Sequence, residues 1–400
     1  MTTVTTYLNL RRGASLLVAV LIVLALIAPS ALAAPATQGT GVLRLGYLGV
    51  MDTDTATGAQ LAIDQINAAG GFTGADGNQY QLELVRLAAP PTAESLAANV
   101  TALTAQDVVA LLGPDSSTVL SPDNITMLVN TGLPVLTPAT VDTLTDGDAD
   151  DVIFRTRAPE YVYSEALAAY ILDDLALTSF VLVQTDVEST EALLDFENFL
   201  QGRGVVPAAK VQLPDASGLA DEVTTLISLN PEAVVMWGPE ADAAIMLRML
   251  RDGGWAGQFA YRMADEAARS NRLKDTLADG VLGVNSWSYA YPGSAARVVL
   301  QDYITTFGKV PGPLAIAAYD AMWYLRAVMR TVGVDAESIR TGLLNGVPQD
   351  LVAGTLRPQD FGNGDLIRMA MVYELQAGGG PSVVALYNNG ERALIEDAGN

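Results

Sequence analysis

VLRLGYLGVMDTDTATGAQLAIDQINAAGG, residues 42–71, decides the fold class. Val42, Leu43, Leu45, Tyr47 and Leu48 form a short apolar run that stops at Gly49. After a brief polar loop, Ala59, Ala62, Ile63 and Ile66 fall at i, i+3, i+4 and i+7, one apolar stripe of a helix. Asn67, Gly70 and Gly71 end that helix. A strand feeding a helix through a loop at its carboxyl end is the opening unit of a doubly wound α/β domain, and in such domains ligands bind just outside those strand ends. The loop 51–57 is therefore a candidate site.

The chain has 400 residues, more than one ordinary core holds, which points to two domains. Half of the residues are hydrophobic and few are charged, the composition of a globular chain. The N-terminus reads separately. Arg11 and Arg12 precede an apolar run over 16–28, and Pro29 breaks it before Ala31, Leu32 and Ala33. That pattern predicts a secretory signal over residues 1–33, cut after Ala33. The run is short for a membrane span of about 20 residues, and with no cysteine there is no site for a lipid anchor on sulfur.

Taking the two leader arginines from 22 basic residues leaves 20 against 45 acidic ones, a net charge near −25 for the exported part. Such a field repels nucleic acid and anionic lipid, and the dispersed carboxylates read as a solvated exported surface. The absence of cysteine excludes disulfides and thiol nucleophiles. The absence of histidine excludes Ser-His-Asp triads, imidazole acid–base chemistry and His-ligated zinc. No G-x-S-x-G, P-loop or G-x-G-x-x-G motif occurs. Binding is favoured over catalysis, with no cofactor and no metal expected. Asp146, Asp148 and Asp150 have the spacing of a calcium loop's start. Asp151 stands where the loop needs Gly, however, and Arg157 where it needs Glu, so a solvated acidic turn is expected. Asn99 and Asn124 head glycosylation sequons by pattern only.

Strand and helix patterns alternate along the rest of the chain. Strands are predicted at 79–86, 108–112, 134–136, 152–156, 179–184, 205–211, 233–237, 258–261 and 280–284, then at 369–376 and 382–387. Helices are predicted at 161–173, 188–202, 219–229, 240–252 and 266–277, followed by a mainly helical block over 293–346. Two sets of β-α alternation imply two parallel-sheet domains with a cleft between them.

At this point the segments LRLGYLG, GAQLAIDQINAAGG, VVALLGPDSS, GLPVLTPAT, VIFRT, AVVMWG, GPLAIAAYDAMWYL, GTLRPQDFGNGD and VYELQAGG carry a resemblance. In that order, from residue 41 to about 380, they resemble the type I periplasmic solute-binding proteins of branched-chain amino-acid (leucine/isoleucine/valine) ABC transporters. The resemblance implies two Rossmann-like parallel-sheet lobes joined by three crossovers and closing on ligand by hinge bending. It sets an N-terminal lobe at 41–157 plus 287–350 and a C-terminal lobe at 158–286 plus 351–400.

Ser116 and Ser117 stand where that family places a serine for the ligand carboxylate, after a buried strand and at the opening of an expected helix whose free N–H groups and dipole favour an anion. Their alternative role is plain N-capping. Ala139 and Thr140, or Val141 one place on, match the segment that holds the amino-acid head group. For the α-ammonium, ungapped alignment puts Met263 where the family carries a glutamate; Asp265 or Glu240 would replace it, against the alternative of solvated carboxylates. Ser189 aligns where a cleft tyrosine is common, so aromatic walls would come from Trp237, Trp287, Tyr289 or Tyr291.

The expected function is an extracytoplasmic receptor, a monomer, that captures an amino acid or related small polar solute and delivers it to ABC permease subunits. A ligand-binding sensor ectodomain with no permease is the alternative, and an exported enzyme built on paired carboxylates a third class. The first loop is shorter than the family's usual one. With Ser189 and Met263, that departure weighs against leucine as the ligand.

Overall fold

The computed structural model describes residues 40–395 except 51, 88, 292, 347 and 379. The expected signal over 1–33 lies outside the described residues.

The first sheet contains β1 (Thr40–Tyr47), β2 (Phe72–Thr73), β3 (Gln79–Arg86), β4 (Val108–Leu112), β5 (Val135–Thr137) and β6 (Ile153–Arg155), in the order β2-β3-β1-β4-β5-β6. β1, β4, β5 and β6 pair in parallel. The second sheet starts with β7 (Phe180–Gln184), β8 (Ala209–Gln212), β9 (Ala233–Trp237), β10 (Gln258–Tyr261) and β11 (Leu282–Asn285). A small ribbon of β12 (Gln349–Asp350) and β13 (Thr355–Leu356) intervenes. The chain then adds β14 (Met369–Leu375), β15 (Pro381–Asn388) and β16 (Glu391–Ala393), giving the order β16-β15-β14-β11-β10-β9-β7-β8. The parallel part of each sheet is a 2-1-3-4-5 doubly wound order, whose switch point falls between β1 and β4 in one lobe and between β7 and β9 in the other.

The continuous apolar strands follow from burial on both faces. In the second sheet Phe180, Leu182, Ala233, Val235 and Trp237 face one helical layer, while Val181, Val183, Val234 and Met236 face the other. The first lobe's core joins the helix Asp54–Ala68 to the long helix Pro313–Thr331. Among the described residues no helix is long and apolar enough to cross a membrane.

Two local readings, the lobe of 351–367 and the helix over 266–277, differ from the structure. The segment 351–367, expected in the second lobe, belongs to the first. Val352 and Ala353 donate their N–H groups to Asp320 on the long helix, at 3.0 and 2.7 Å, and Leu366 donates to the Arg155 carbonyl at the edge of β6. The third crossover therefore lies just before β14. β14 and β15 run antiparallel rather than extending the parallel sheet, because a returning crossover and a hairpin both reverse the chain. The helix expected over 266–277 is two, Ala264–Arg269 and Asp275–Ala278, since Asn271 and Asp275 take left-handed backbone (φ 59° and 55°). Asn124, which heads one sequon, is buried, and its amide donates to the Ala93 and Val119 carbonyls.

Candidate functional site

Both switch points open toward the same place. Loops after β4 and β5 in the first lobe face loops after β7, β9 and β10 in the second, and together they enclose a cavity of about 450 Å³. Ser116, Ser117, Thr118, Thr140 and Val141 line it from the first lobe. Asp186, Glu188, Ser189, Glu191, Trp237 and Met263 are among its second-lobe lining, and Arg157 and Glu160 come from the crossover between. This volume lies within the usual range for small-molecule sites.

On the first-lobe side, Ser116 caps the turn Ser117–Val119: its Oγ accepts from the Thr118 N–H at 3.2 Å and pairs with the Thr118 hydroxyl at 2.9 Å. Capping and cavity lining coexist there. Asp115 does not line this cavity. Its carboxylate accepts from the Tyr47 hydroxyl at 2.6 Å, and burial raises its proton affinity. Ala139 does not line it either; its N–H is spent on the Thr137 hydroxyl at 3.1 Å, and its side chain is buried. Thr140 and Val141 are the residues of that segment that reach the cavity.

On the second-lobe side, Trp237 packs edge-on against Phe196, ring centroids 5.3 Å apart. The chain then turns at Gly238 (φ +130°), where a Cβ would lie 2.2 Å from the Thr185 hydroxyl. Asp186 accepts from the Ser189 N–H at 2.7 Å. Arg262 pairs with Glu160 through Nε at 2.7 Å and Nη2 at 3.3 Å, and it lies over the Tyr163 ring at 4.1 Å. Arg157 differs: its guanidinium donates to the Asn285 side chain at 2.8 Å and weakly to the Pro138 carbonyl, and it has no carboxylate partner among the described residues.

Behind this wall lies a group of carboxylates that spans both lobes. Burial first, then its contact with Asp195 and the charges of Asp195 and Glu160, push the Asp142 carboxyl up to about 7. Glu165 and Glu191 are raised by burial and then by the charge of Asp142, and Asp195 is raised by burial against the opposing effect of its hydrogen bond with Asp142. Each of these shifts favours the protonated acid, because burial and like charge both penalise the carboxylate.

A second cavity, about 700 Å³, is lined by Asp54, Glu240, Glu266, Arg269, Ser270, Tyr289, Gly308, Lys309 and Val310. Glu240, expected to meet the ligand's ammonium, and Tyr289, expected as an aromatic wall, are here and not in the first cavity. Asp265 is in neither. It is buried under β14, accepting from the Tyr373 hydroxyl at 2.6 Å, because the first turn of its helix points Glu266 outward and Asp265 into the core. Met263, the directly aligned position, does reach the first cavity. Among the described residues no three or more His, Cys, Asp or Glu are grouped to hold a metal ion, and Asp148 of the acidic turn caps the entry to β6 by accepting from Val152 and Ile153.

The short first loop has a use other than lining the first cavity. Thr53 caps the helix Asp54–Ala68, and Asp54 then bonds to Lys309 at 2.9 Å in its own lobe and to Arg269 at 3.4 Å in the other. Partly buried ion pairs of this kind contribute on the order of 1 kcal/mol. Asp54→Asn is expected to weaken ligand affinity about 3- to 5-fold through loss of closure, while a melt of the ligand-free protein shifts little; titration calorimetry reads the first and a thermal melt the second.

Sequence reasoning missed Arg157, Glu160, Arg262, Asp186, Glu188 and Glu191. Arg157, Asp186 and Arg262 each lie within two residues of a strand's carboxyl end, so charged residues at those positions were the available signal.

A family model described as periplasmic binding protein matches residues 44–380. No curated protein matches the chain in sequence. Among solved structures, the branched-chain amino acid transporter substrate-binding protein LivJ from Streptococcus pneumoniae, in complex with isoleucine, is 20% identical with a TM-score of 0.71; the match covers 86% of this chain and 99% of that one. A leucine-, isoleucine-, valine-, threonine- and alanine-binding protein from Brucella ovis, in a closed conformation, is 14% identical with a TM-score of 0.74 over 90% and 98% of the two chains. A solute-binding protein from R. palustris in complex with benzoate is 14% identical with a TM-score of 0.69 over 90% and 98%. At these identities the likeness carries the fold.

Proposed function

From its membership of the periplasmic binding protein family, to which the chain belongs by the match over residues 44–380, we propose that it is an extracytoplasmic solute receptor of an ABC importer. It captures an amino acid or related small polar solute between its lobes and presents the closed form to permease subunits, working as a monomer. The observation that carries this reading is the 450 Å³ cavity, whose polar walls come from the strand ends of both lobes. A site shared between two bodies couples occupancy to closure, because a ligand that touches both walls favours the closed state by its differential affinity. Ser116, Ser117, Thr140 and Trp237 are assigned to ligand, joined by Arg157 and the acidic side chains opposite. Nucleic acid is not a partner on this reading, since the chain carries a formal net charge of −23. One of the similar solved structures holds isoleucine and another benzoate, so the fold accepts more than one class of carboxylate.

Small-angle scattering with and without solute tests the reading. A reduced radius of gyration with at least one bound solute is the expected result, and binding without any compaction overturns the hinge mechanism.

A further inference from the structure

The charge on the walls of the first cavity goes further than its volume. Arg262 and Glu160 neutralise each other. Of the remaining charged lining, Arg157 is the single cation, against Asp186, Glu188 and Glu191. A carboxylate cluster alone would be no site, but two buried donors without an acceptor, on residues that line the same cavity, point to a ligand. Arg157 is 9% exposed and Trp237 2% exposed; both residues line the cavity, and the buried Arg157 Nε and Trp237 Nε1 have no acceptor among the described residues. A buried donor left unmade costs about 1–3 kcal/mol, so these two call for an acceptor that enters with the ligand.

The three carboxylates ask for the opposite. Glu188 is exposed and has no ion pair or hydrogen bond among the described residues. Asp186 spends one oxygen on a backbone N–H, and Glu191 accepts only a long bond from the Asp142 N–H at 3.4 Å. Closing the lobes over an aliphatic side chain would strip water from these charges without replacing it, which is costly. A cation placed among them would be stabilised by the same closure.

Resting on the receptor reading, we infer that the ligand is a basic amino acid. Its carboxylate would be held by Arg157, Trp237 Nε1 and the 116–118 turn, and its two cationic groups by Asp186, Glu188 and Glu191. A zwitterion without a charged side chain answers only one of the three carboxylates. A diamine answers them but leaves Arg157 and Trp237 without an acceptor.

Titration calorimetry of the exported protein with lysine, arginine, leucine, isoleucine, putrescine and benzoate decides the matter. Lysine or arginine is expected to bind about 100-fold more tightly than leucine, isoleucine, putrescine or benzoate. Glu188→Gln, an exposed change that leaves the fold alone, is expected to weaken the basic ligand about 5- to 10-fold, and Arg157→Gln by about 100-fold or more. Leucine, isoleucine or benzoate binding as tightly as lysine overturns the inference and leaves the receptor reading standing. Putrescine binding as tightly as lysine overturns the role of Arg157. Unchanged affinity in Glu188→Gln and Glu191→Gln together overturns the role of the acid wall. Absence of binding and compaction with every solute overturns the receptor reading and this inference with it.

Discussion

Asp365→Ala is expected to destabilise the protein by about 3–5 kcal/mol, the usual cost of stripping one partner from a buried ion pair. Arg155 and Asp365 are 1% and 0% exposed and meet at 3.0 Å. The other Asp365 oxygen takes Arg368 at 2.9 Å. The second arm of Arg155 donates to the Val141 and Asp142 carbonyls at 2.9 and 2.7 Å, and the backbones of the two segments pair alongside β6. Removing the carboxylate leaves a guanidinium charge in the core beside the loop that carries Val141 into the cavity. A melting temperature lower by roughly 4–7 °C is the expected reading, together with weaker ligand binding. The double change Arg155→Met with Asp365→Leu should recover part of the loss, because an apolar pair needs no compensation. A single-variant loss below about 1 kcal/mol would show that the pair is not structural.

Gly58→Ala is expected to cost about 3 kcal/mol, at the upper end of overpacking effects. A Cβ on Gly58 would stand 1.9 Å from the Ala315 carbonyl oxygen, on the helix Pro313–Thr331 that packs against Asp54–Ala68. That neighbour is backbone and cannot rotate away, so the helices must separate. Because Asp54 opens the first of them, the displacement should also loosen its bond to Arg269. Gly202→Ala is the control: no atom lies within 4 Å of its Cβ position and it ends a helix, so a change near zero is expected. Denaturant unfolding of both variants separates the two outcomes, and equal stability would show that the helix contact is looser than the geometry implies.

The resemblance segments proved informative in a way their order alone did not explain. VIFRT and GTLRPQDFGNGD supply Arg155 and Asp365, two halves of one buried pair that are 210 residues apart in the chain. The helix and strand alternation was legible because hydrophobic periodicity is local. The extent of the second lobe was not. Its boundary at 350 is displaced by Asp320, whose buried carboxylate holds Val352 and Ala353 in the first lobe. Among the site residues, Ser116, Ser117, Thr140 and Trp237 come together, whereas Glu240 and Tyr289 line a different cavity and Ala139 and Asp265 are turned into the core. One residue of phase on the helix Ala264–Arg269 separates a buried acid from one that faces a cavity.

The stretch 42–71 by itself determined the doubly wound class and the place of the first strand end, because apolar spacing along a few turns dictates which face is buried. The loop's role in closure came from the tertiary structure alone: Asp54 has no meaning as a latch until Arg269 stands opposite it. The charge character of the cleft was decided there too. Arg157, Asp186, Glu188 and Glu191 are scattered charges in sequence, and only the convergence of two switch points makes them walls of one cavity.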